Sequence, residues 1–354
     1  MNCFSVPPVA VSQVLTAWFA ENARDLPWRR DVTPYRVWVS EIMLQQTRVE
    51  AVKPYFQRFV TALPDVASLA AADDEFLHKL WEGLGYYSRV RNMKKCAVQL
   101  MQSYGGELPQ TVDELQKLPG IGSYTAGAIA SIAFGVPAPA VDGNVLRVLS
   151  RLCNSDADIA QASVKKQAEQ TVMQMIPQEN VSAFTQSLFE LGATVCLPGS
   201  DAKCERCPIK QYCLARQYET VGVLPRHSAK PPRRIEHHTV LLLRENGKYM
   251  LRKRPEKGLL AGLWEFPNIP GQADEAQAVS AARKLGFEPL RVRVLPSAVH
   301  IFTHKEWHMT AFLMDGTFES ENAVTADADE LERVYALPSA FAVYRGIATG
   351  KPEK

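Results

Sequence analysis

The chain has 354 residues, long enough for two domains, because single cores rarely grow beyond about 250–300 residues. Its 46% hydrophobic content is ordinary for a globular protein, and no apolar run approaches the roughly 18–20 residues that span a bilayer. The net charge of +2 is too small to argue for nucleic acid, so the distribution of charge must carry that question. The opening MNCFSVPPVA lacks a basic n-region and its apolar stretch is broken by proline, so no secretory signal is expected. Seven cysteines, four of them close together, do not read as a disulfide scaffold, and a reducing, cytoplasmic setting is expected.

From Val11 to about Tyr218 the pattern is helical, with Gly or Pro punctuation between segments. Val39, Ile42, Met43, Val49, Val52, Phe56 and Phe59 hold an apolar stripe near the 3.6-residue period. On such a helix Glu41, Gln45 and Arg48 fall at i, i+4 and i+7 on one polar stripe, which by default is a solvated face. Farther on, Thr111 with Glu114 predicts a capping box. The segment LPGIGSYTAG follows, in which Gly120 and Gly122 permit a tight turn. A helix opening near Ser123 presents unpaired amides and a positive dipole end, a fit for a phosphate. Asp142 in VDGN reads by itself as the N-cap of a helix beginning at Asn144–Val145.

Cys196, Cys204, Cys207 and Cys213 are separated by seven, two and five residues. Four cysteines so close could hold zinc or an iron–sulfur cluster, although zinc ribbons usually show two C-x₂-C knuckles and only one such pair occurs here. Cys3, Cys96 and Cys153 stand apart and read as ordinary buried or free thiols. After Glu219 there is no acid until Glu236, while Arg226, Lys230, Arg233 and Arg234 fall between them. Then the texture changes. TVLLL and KYMLRKR flank Asn246-Gly247, the preferred dipeptide of a type I′ hairpin. Alternating segments at Leu290–Leu295 and Met309–Leu313 follow a helical stretch at Glu275–Leu285. The organisation expected is an all-α domain over 1–218, a basic proline-containing linker over 219–235, and an α+β domain over 236–354.

The glycine hairpin followed by an aspartate resembles the helix-hairpin-helix DNA glycosylase superfamily that includes endonuclease III. Lyase members carry a lysine eighteen residues before the aspartate, where this chain has Tyr124. The cysteine spacing is similar to the C-x₆-C-x₂-C-x₅-C set of the [4Fe–4S] glycosylases, with a first gap one residue longer, and implies a structural [4Fe–4S] cluster in the loop 196–213. The segment around Glu41 with MLQQT, and WEGLGYYSRVRN at 81–92, resemble the adenine-specific branch, the MutY family. The resemblance implies that adenine opposite 8-oxoguanine or guanine is extruded from double-stranded DNA and hydrolysed without strand cleavage. It implies Glu41 as general acid, Asp142 as the ionised stabiliser or transient nucleophile, Tyr124 as companion to that aspartate, and Asn144 as a residue ordering water or Asp142. It places Gln46, with the adjoining Thr47, and Tyr86 near the estranged base, and Arg24, Leu26, Trp28, Arg29 and Gln186 around the flipped adenine. Read without the resemblance, Trp28 and Tyr86 are core aromatics.

GLLAGLWEFP at 258–267 resembles the opening of a Nudix domain. The acids that would hold magnesium there fall at Gln277, Ser280, Arg283 and Lys284, so binding without hydrolysis is expected. Phe302, Thr303 and His304 resemble the family's Phe-Ser-His loop that reads 8-oxoguanine. A monomer with no membrane partner is expected, nucleoid-associated if bacterial. Three rivals stand: a bifunctional glycosylase/lyase, which Tyr124 opposes; a non-catalytic DNA binder, which would need neither Glu41 nor Asp142; and a nucleotide pyrophosphohydrolase, which the missing acids oppose.

Overall fold

The structure, a computed structural model, describes residues 7–228, 231–319 and 323–351; Cys3 and Lys230 lie outside the described residues. Two compact units emerge, Met1–Ala71 with Asn92–Ala229, and Ala72–Arg91 with Lys230–Lys354.

The first unit is built of helices, as the periodicity requires. Proline opens Pro8–Asn22, Pro27–Arg30 and Pro34–Leu44, at the position where a missing N–H costs nothing. Thr33 caps the third through its side chain, 3.2 Å from the Arg36 amide. That helix ends at Leu44 and the next, Val49–Ala62, begins after a loop in which Gln46 takes a left-handed φ of 58°. The single polar stripe of Glu41, Gln45 and Arg48 therefore does not form. Glu41 lies in the last turn and is buried, whereas Gln46 and Arg48 are exposed in the loop. Thr111 caps Val112–Leu115, donating its hydroxyl to the Glu114 carboxylate at 2.8 Å and accepting from the Glu114 amide at 3.3 Å. Gly120 turns with φ 78°, and a Cβ there would stand 2.7 Å from the Asn92 Cβ, so the hairpin needs glycine at that position.

The helices Gly143–Leu152 and Val181–Thr194 form the centre of this unit, packing Val145, Leu149, Leu152, Phe184, Leu188 and Leu191 into one buried cluster. Two glycines set how closely the segments approach. A Cβ on Gly127, in the helix Ser123–Phe134, would stand 2.0 Å from the Pro139 carbonyl oxygen; one on Gly192 would stand 2.7 Å from the Asn144 Cβ. Both approaches fix the chain on either side of Asp142. Cys96 is buried and free, whereas Cys153 is disulfide-bonded, which corrects its reading as a thiol.

In the second unit the strand Arg234–Glu245 runs parallel to Lys305–Phe318, which pairs antiparallel with the outer strand Phe287–Ile301. Asn246 and Gly247 turn the first strand into Lys248–Met250 with φ of 49° and 80°, the two positive values that a type I′ turn requires. The first strand is buried on both faces, which is why TVLLL reads as a continuous apolar run and not as an alternation. Leu241 and Leu243 pack with Ala278 and Ala282 of the helix Glu275–Lys284, while Val240 and Leu242 face Trp307, Phe341 and Tyr344.

Gly127→Ala should destabilise the first unit by about 1–3 kcal/mol, the usual range for overpacking, because its neighbour is backbone and cannot rotate away. A Tm by calorimetry checks this; an unchanged Tm would mean that the 136–140 segment yields freely.

Candidate active site

A cavity of about 610 Å³ opens in the first unit, lined by residues of six segments. Glu41, Tyr124, Asp142 and Asn144 all line it, together with Arg24, Leu26, Trp28, Arg29, Gln46, Thr47, Gly122 and Gln186. Leu26 and Trp28 are also buried, so the reading as core and the reading as cavity wall hold together for both. Gly120 lies outside the lining and shapes the hairpin that carries Gly122.

The two carboxylates live in different surroundings. Burial pushes Glu41 up to about 7; the Tyr124 hydroxyl, donating to Glu41 Oε2 at 2.5 Å, opposes this, and the charge of Asp142 adds to it. Tyr124 is thus tied to Glu41 and not to Asp142, the companion implied by resemblance. Asp142 also rises, through burial, but it accepts from the Val145 amide at 2.8 Å and from Asn144 Nδ2 at 3.0 Å. It is the N-cap of Gly143–Leu152 and also lines the cavity, so the capping role and a place in the site coexist. More donors converge on the charged form of Asp142 than on that of Glu41. A proton shared between the two therefore belongs on Glu41.

Glu190 was not legible in the sequence, since it stands inside an apolar helix with no motif around it. It is fully buried and accepts from Arg24 Nε at 2.5 Å and Arg29 Nη2 at 2.9 Å. Burial alone would raise its pKa, but the two guanidinium groups outweigh it and hold the carboxyl below its ordinary value. Arg29 also donates to Gln186 Oε1 at 3.0 Å, so three of the five residues expected around a base are held in one network.

Arg147 and Arg151, likewise unforeseen, lie one turn apart on Gly143–Leu152. Arg147 donates to Asn144 Oδ1 at 2.9 Å, to the Gly192 carbonyl at 2.8 Å and to the Cys196 carbonyl at 2.8 Å. Arg151 donates to the Leu197 and Gly199 carbonyls at 2.6 and 2.9 Å, and its Nη1 lies 3.4 Å from Cys196 Sγ. Cys196, Cys204, Cys207 and Cys213 all line one small cavity of about 30 Å³ beside Arg151. Among the described residues no three His, Cys, Asp or Glu side chains gather at the spacing of a single metal ion.

Tyr86, Phe302, Thr303 and His304 belong to the second unit. Phe302 packs against Trp307, with ring centroids 4.9 Å apart, and anchors the turn between two strands. Thr303 and His304 are exposed at its tip, and Thr303 Oγ1 lies 2.5 Å from the Tyr86 hydroxyl. Tyr86 itself is 46% exposed, which removes it from the core.

Comparison with known proteins agrees with this geometry. Residues 39–178 match the model of the HhH-GPD superfamily of base excision DNA repair proteins, and residues 238–344 match the NUDIX domain. The adenine DNA glycosylase of Buchnera aphidicola subsp. Acyrthosiphon pisum is 31% identical over 311 residues, covering 88% of each chain. The chain belongs to the adenine DNA glycosylase family. The human adenine DNA glycosylase is 36% identical over 350 residues, and this chain spans 64% of its length. Among solved structures, an endonuclease III in a non-covalent complex with DNA superposes with a TM-score of 0.51 at 28% identity, covering 59% of this chain and 95% of that one. A thermostable thymine-DNA glycosylase shares the fold with a TM-score of 0.53 at 24% identity, over 60% of this chain and 97% of that one.

Glu190→Ala should cost about 3–5 kcal/mol, the range for removing one partner of a buried ion pair, because Arg24 and Arg29 then face a cavity without their counter-charge. Urea unfolding of the variant decides it. A loss below 1 kcal/mol would show that the two arginines find other partners.

Proposed function

We propose that the chain is a monofunctional adenine DNA glycosylase acting on adenine mispaired with 8-oxoguanine or guanine in double-stranded DNA. The observation that carries the reading is the pair of carboxylates in one cavity, one poised near neutrality and the other braced by donors. Adenine leaves poorly as an anion, so a ring nitrogen must take a proton as the C1′–N9 bond breaks. Glu41, protonated near pH 7, supplies it. The electron pair of the broken bond stays with adenine, and the sugar becomes oxocarbenium-like. Asp142, ionised, faces that positive charge as stabiliser or transient nucleophile, and Asn144 holds its carboxylate. Water then adds at C1′, and its proton returns to Glu41. Extruding the base costs a few kcal/mol of stacking and pairing. Gln46, exposed on a left-handed loop, and Tyr86, exposed on another, supply groups that enter the gap.

Tyr124 stands where a lyase would carry lysine, and its hydroxyl is engaged with Glu41. No amine is thereby offered for a Schiff base from that position. In the second unit the positions of the Nudix acids have other uses. Gln277 closes a capping box with Asp274, and Arg283 pairs with Glu288 at 2.7 Å. The unit is therefore read as a lesion reader, working through Thr303, His304 and Tyr86. The four cysteines line one cavity and offer four thiolates, the donor set that a [4Fe–4S] cluster takes. Cys196, Cys204, Cys207 and Cys213 would hold it, and it would brace the loop that Arg147 and Arg151 tie to the Asp142 helix.

Glu41→Gln should lower single-turnover excision from an A:8-oxoguanine duplex by at least about 10²-fold, the lower end of general acid catalysis, with duplex binding retained. Asp142→Asn should do the same. In the unaltered enzyme the rate should fall as pH rises through about 7, because Glu41 works protonated, and should fall again in acid as Asp142 takes a proton. Near-normal rates in either variant, or strand scission without alkali that borohydride traps as an adduct, would reject the mechanism.

Anaerobically purified protein should contain about four irons per chain, the stoichiometry of one Cys₄-ligated cluster. Elemental analysis that finds stoichiometric zinc would replace the cluster with a single-ion site.

A further inference from the structure

We infer that Arg89 is the positioning residue that keeps Tyr86 projected for lesion reading, an inference that rests on the role proposed for Tyr86 above. Tyr86 holds a left-handed φ of 47°, a conformation that side chains rarely adopt, between Gly83 and Gly85 at 96° and 68° on one side and the helix Ser88–Ser103 on the other. Something must over-determine that turn. Arg89 is only 8% exposed, and its guanidinium donates to the Leu84 carbonyl at 2.9 Å and to the Gly85 carbonyl at 3.1 Å. Its amide donates to the Tyr86 carbonyl at 2.9 Å. The same guanidinium lies 5.3 Å from the Trp81 ring centroid and 5.6 Å from that of Tyr86, within cation–π reach of both. Trp81 Nε1 donates to the Gly85 carbonyl at 3.1 Å, so both sides of the turn are tied to one buried platform.

The chemistry is specific to arginine. Burial lowers its pKa to about 10, and the neighbouring Tyr86 opposes that fall. The planar, forked guanidinium meets both carbonyls through Nη2 and reaches two rings at the same time. Lysine has neither the fork nor the plane. Arg89 does not need to touch DNA for this. It fixes where the Tyr86 ring stands, and the Tyr86 hydroxyl in turn meets Thr303 Oγ1 at 2.5 Å.

The test is a double-mutant cycle in the full-length protein. Single-turnover excision is measured on A:8-oxoguanine and A:G duplexes for Arg89→Gln, Arg89→Lys, Tyr86→Ala and the Arg89→Gln/Tyr86→Ala pair. Tyr86→Ala should lower the preference for A:8-oxoguanine by roughly ten- to a hundredfold, the range of one base–aromatic stack. Arg89→Gln should reproduce most of that loss, Arg89→Lys should restore little of it, and the double variant should be no worse than Tyr86→Ala alone. Additive losses in the double variant would overturn the inference. So would equal falls on both mispairs in the soluble Arg89→Lys protein, which mark a general structural role. An unchanged preference in Tyr86→Ala would instead remove the role proposed for Tyr86, and the inference with it. An unchanged preference in the Arg89 variants beside a loss in Tyr86→Ala removes the inference alone.

Discussion

Two carboxylates in one dry cavity cannot both be ionised cheaply, and the first unit is organised around which of them gives way. The charge of Asp142 raises the cost of ionising Glu41, as a like charge does at a buried site. The backbone decides the contest. Asp142 sits at a helix N-cap, where amide donors and the positive dipole end favour the anion, while Glu41 sits in the last turn of its helix with one phenolic donor. The asymmetry leaves two similar side chains in unlike surroundings, one with a single phenolic donor and the other with amide donors.

That asymmetry depends on the helix Gly143–Leu152 being held still. Its N-terminus caps on Asp142, its first turn meets Gly192 at a distance that only glycine allows, and its arginines grip the cysteine loop. The chain Cys196 carbonyl, Arg147, Asn144, Asp142 is continuous in hydrogen bonds. A loop far along the sequence is thereby tied by hydrogen bonds to the carboxylate that caps that helix. On the other wall, Glu190 does comparable work for Arg24 and Arg29, fixing two long side chains at the cavity.

The second unit solves a different problem with the same means. A left-handed tyrosine and a strand turn both project exposed side chains, and each is anchored by what lies beneath it. Phe302 sinks into the Trp307 cluster so that Thr303 and His304 can stand at the tip. Trp81 and Arg89 hold the carbonyls under Tyr86. The helix that would carry magnesium ligands instead closes its own cap and a surface ion pair.

Local chemistry settled what could be read along the chain. Helical period, the Asn246-Gly247 turn, the TVLLL strand and the cap at Asp142 follow from interactions within a few residues, and they appear as the sequence implies. The helix through Glu41 was read as longer than it is, because its apolar period continues past Leu44 although the backbone breaks at Gln46. Glu190, Arg147, Arg151 and the pairing of Tyr124 with Glu41 gave no signal in one dimension. Each depends on a partner tens of residues away, and an ion pair or a buried hydrogen bond leaves no periodic trace. The sequence determined which residue types were available for acid, anion and thiolate. Only the tertiary structure decided which carboxylate would be dry, which would be braced, and therefore which one keeps the proton, because desolvation and donor count are properties of a folded neighbourhood and not of a residue.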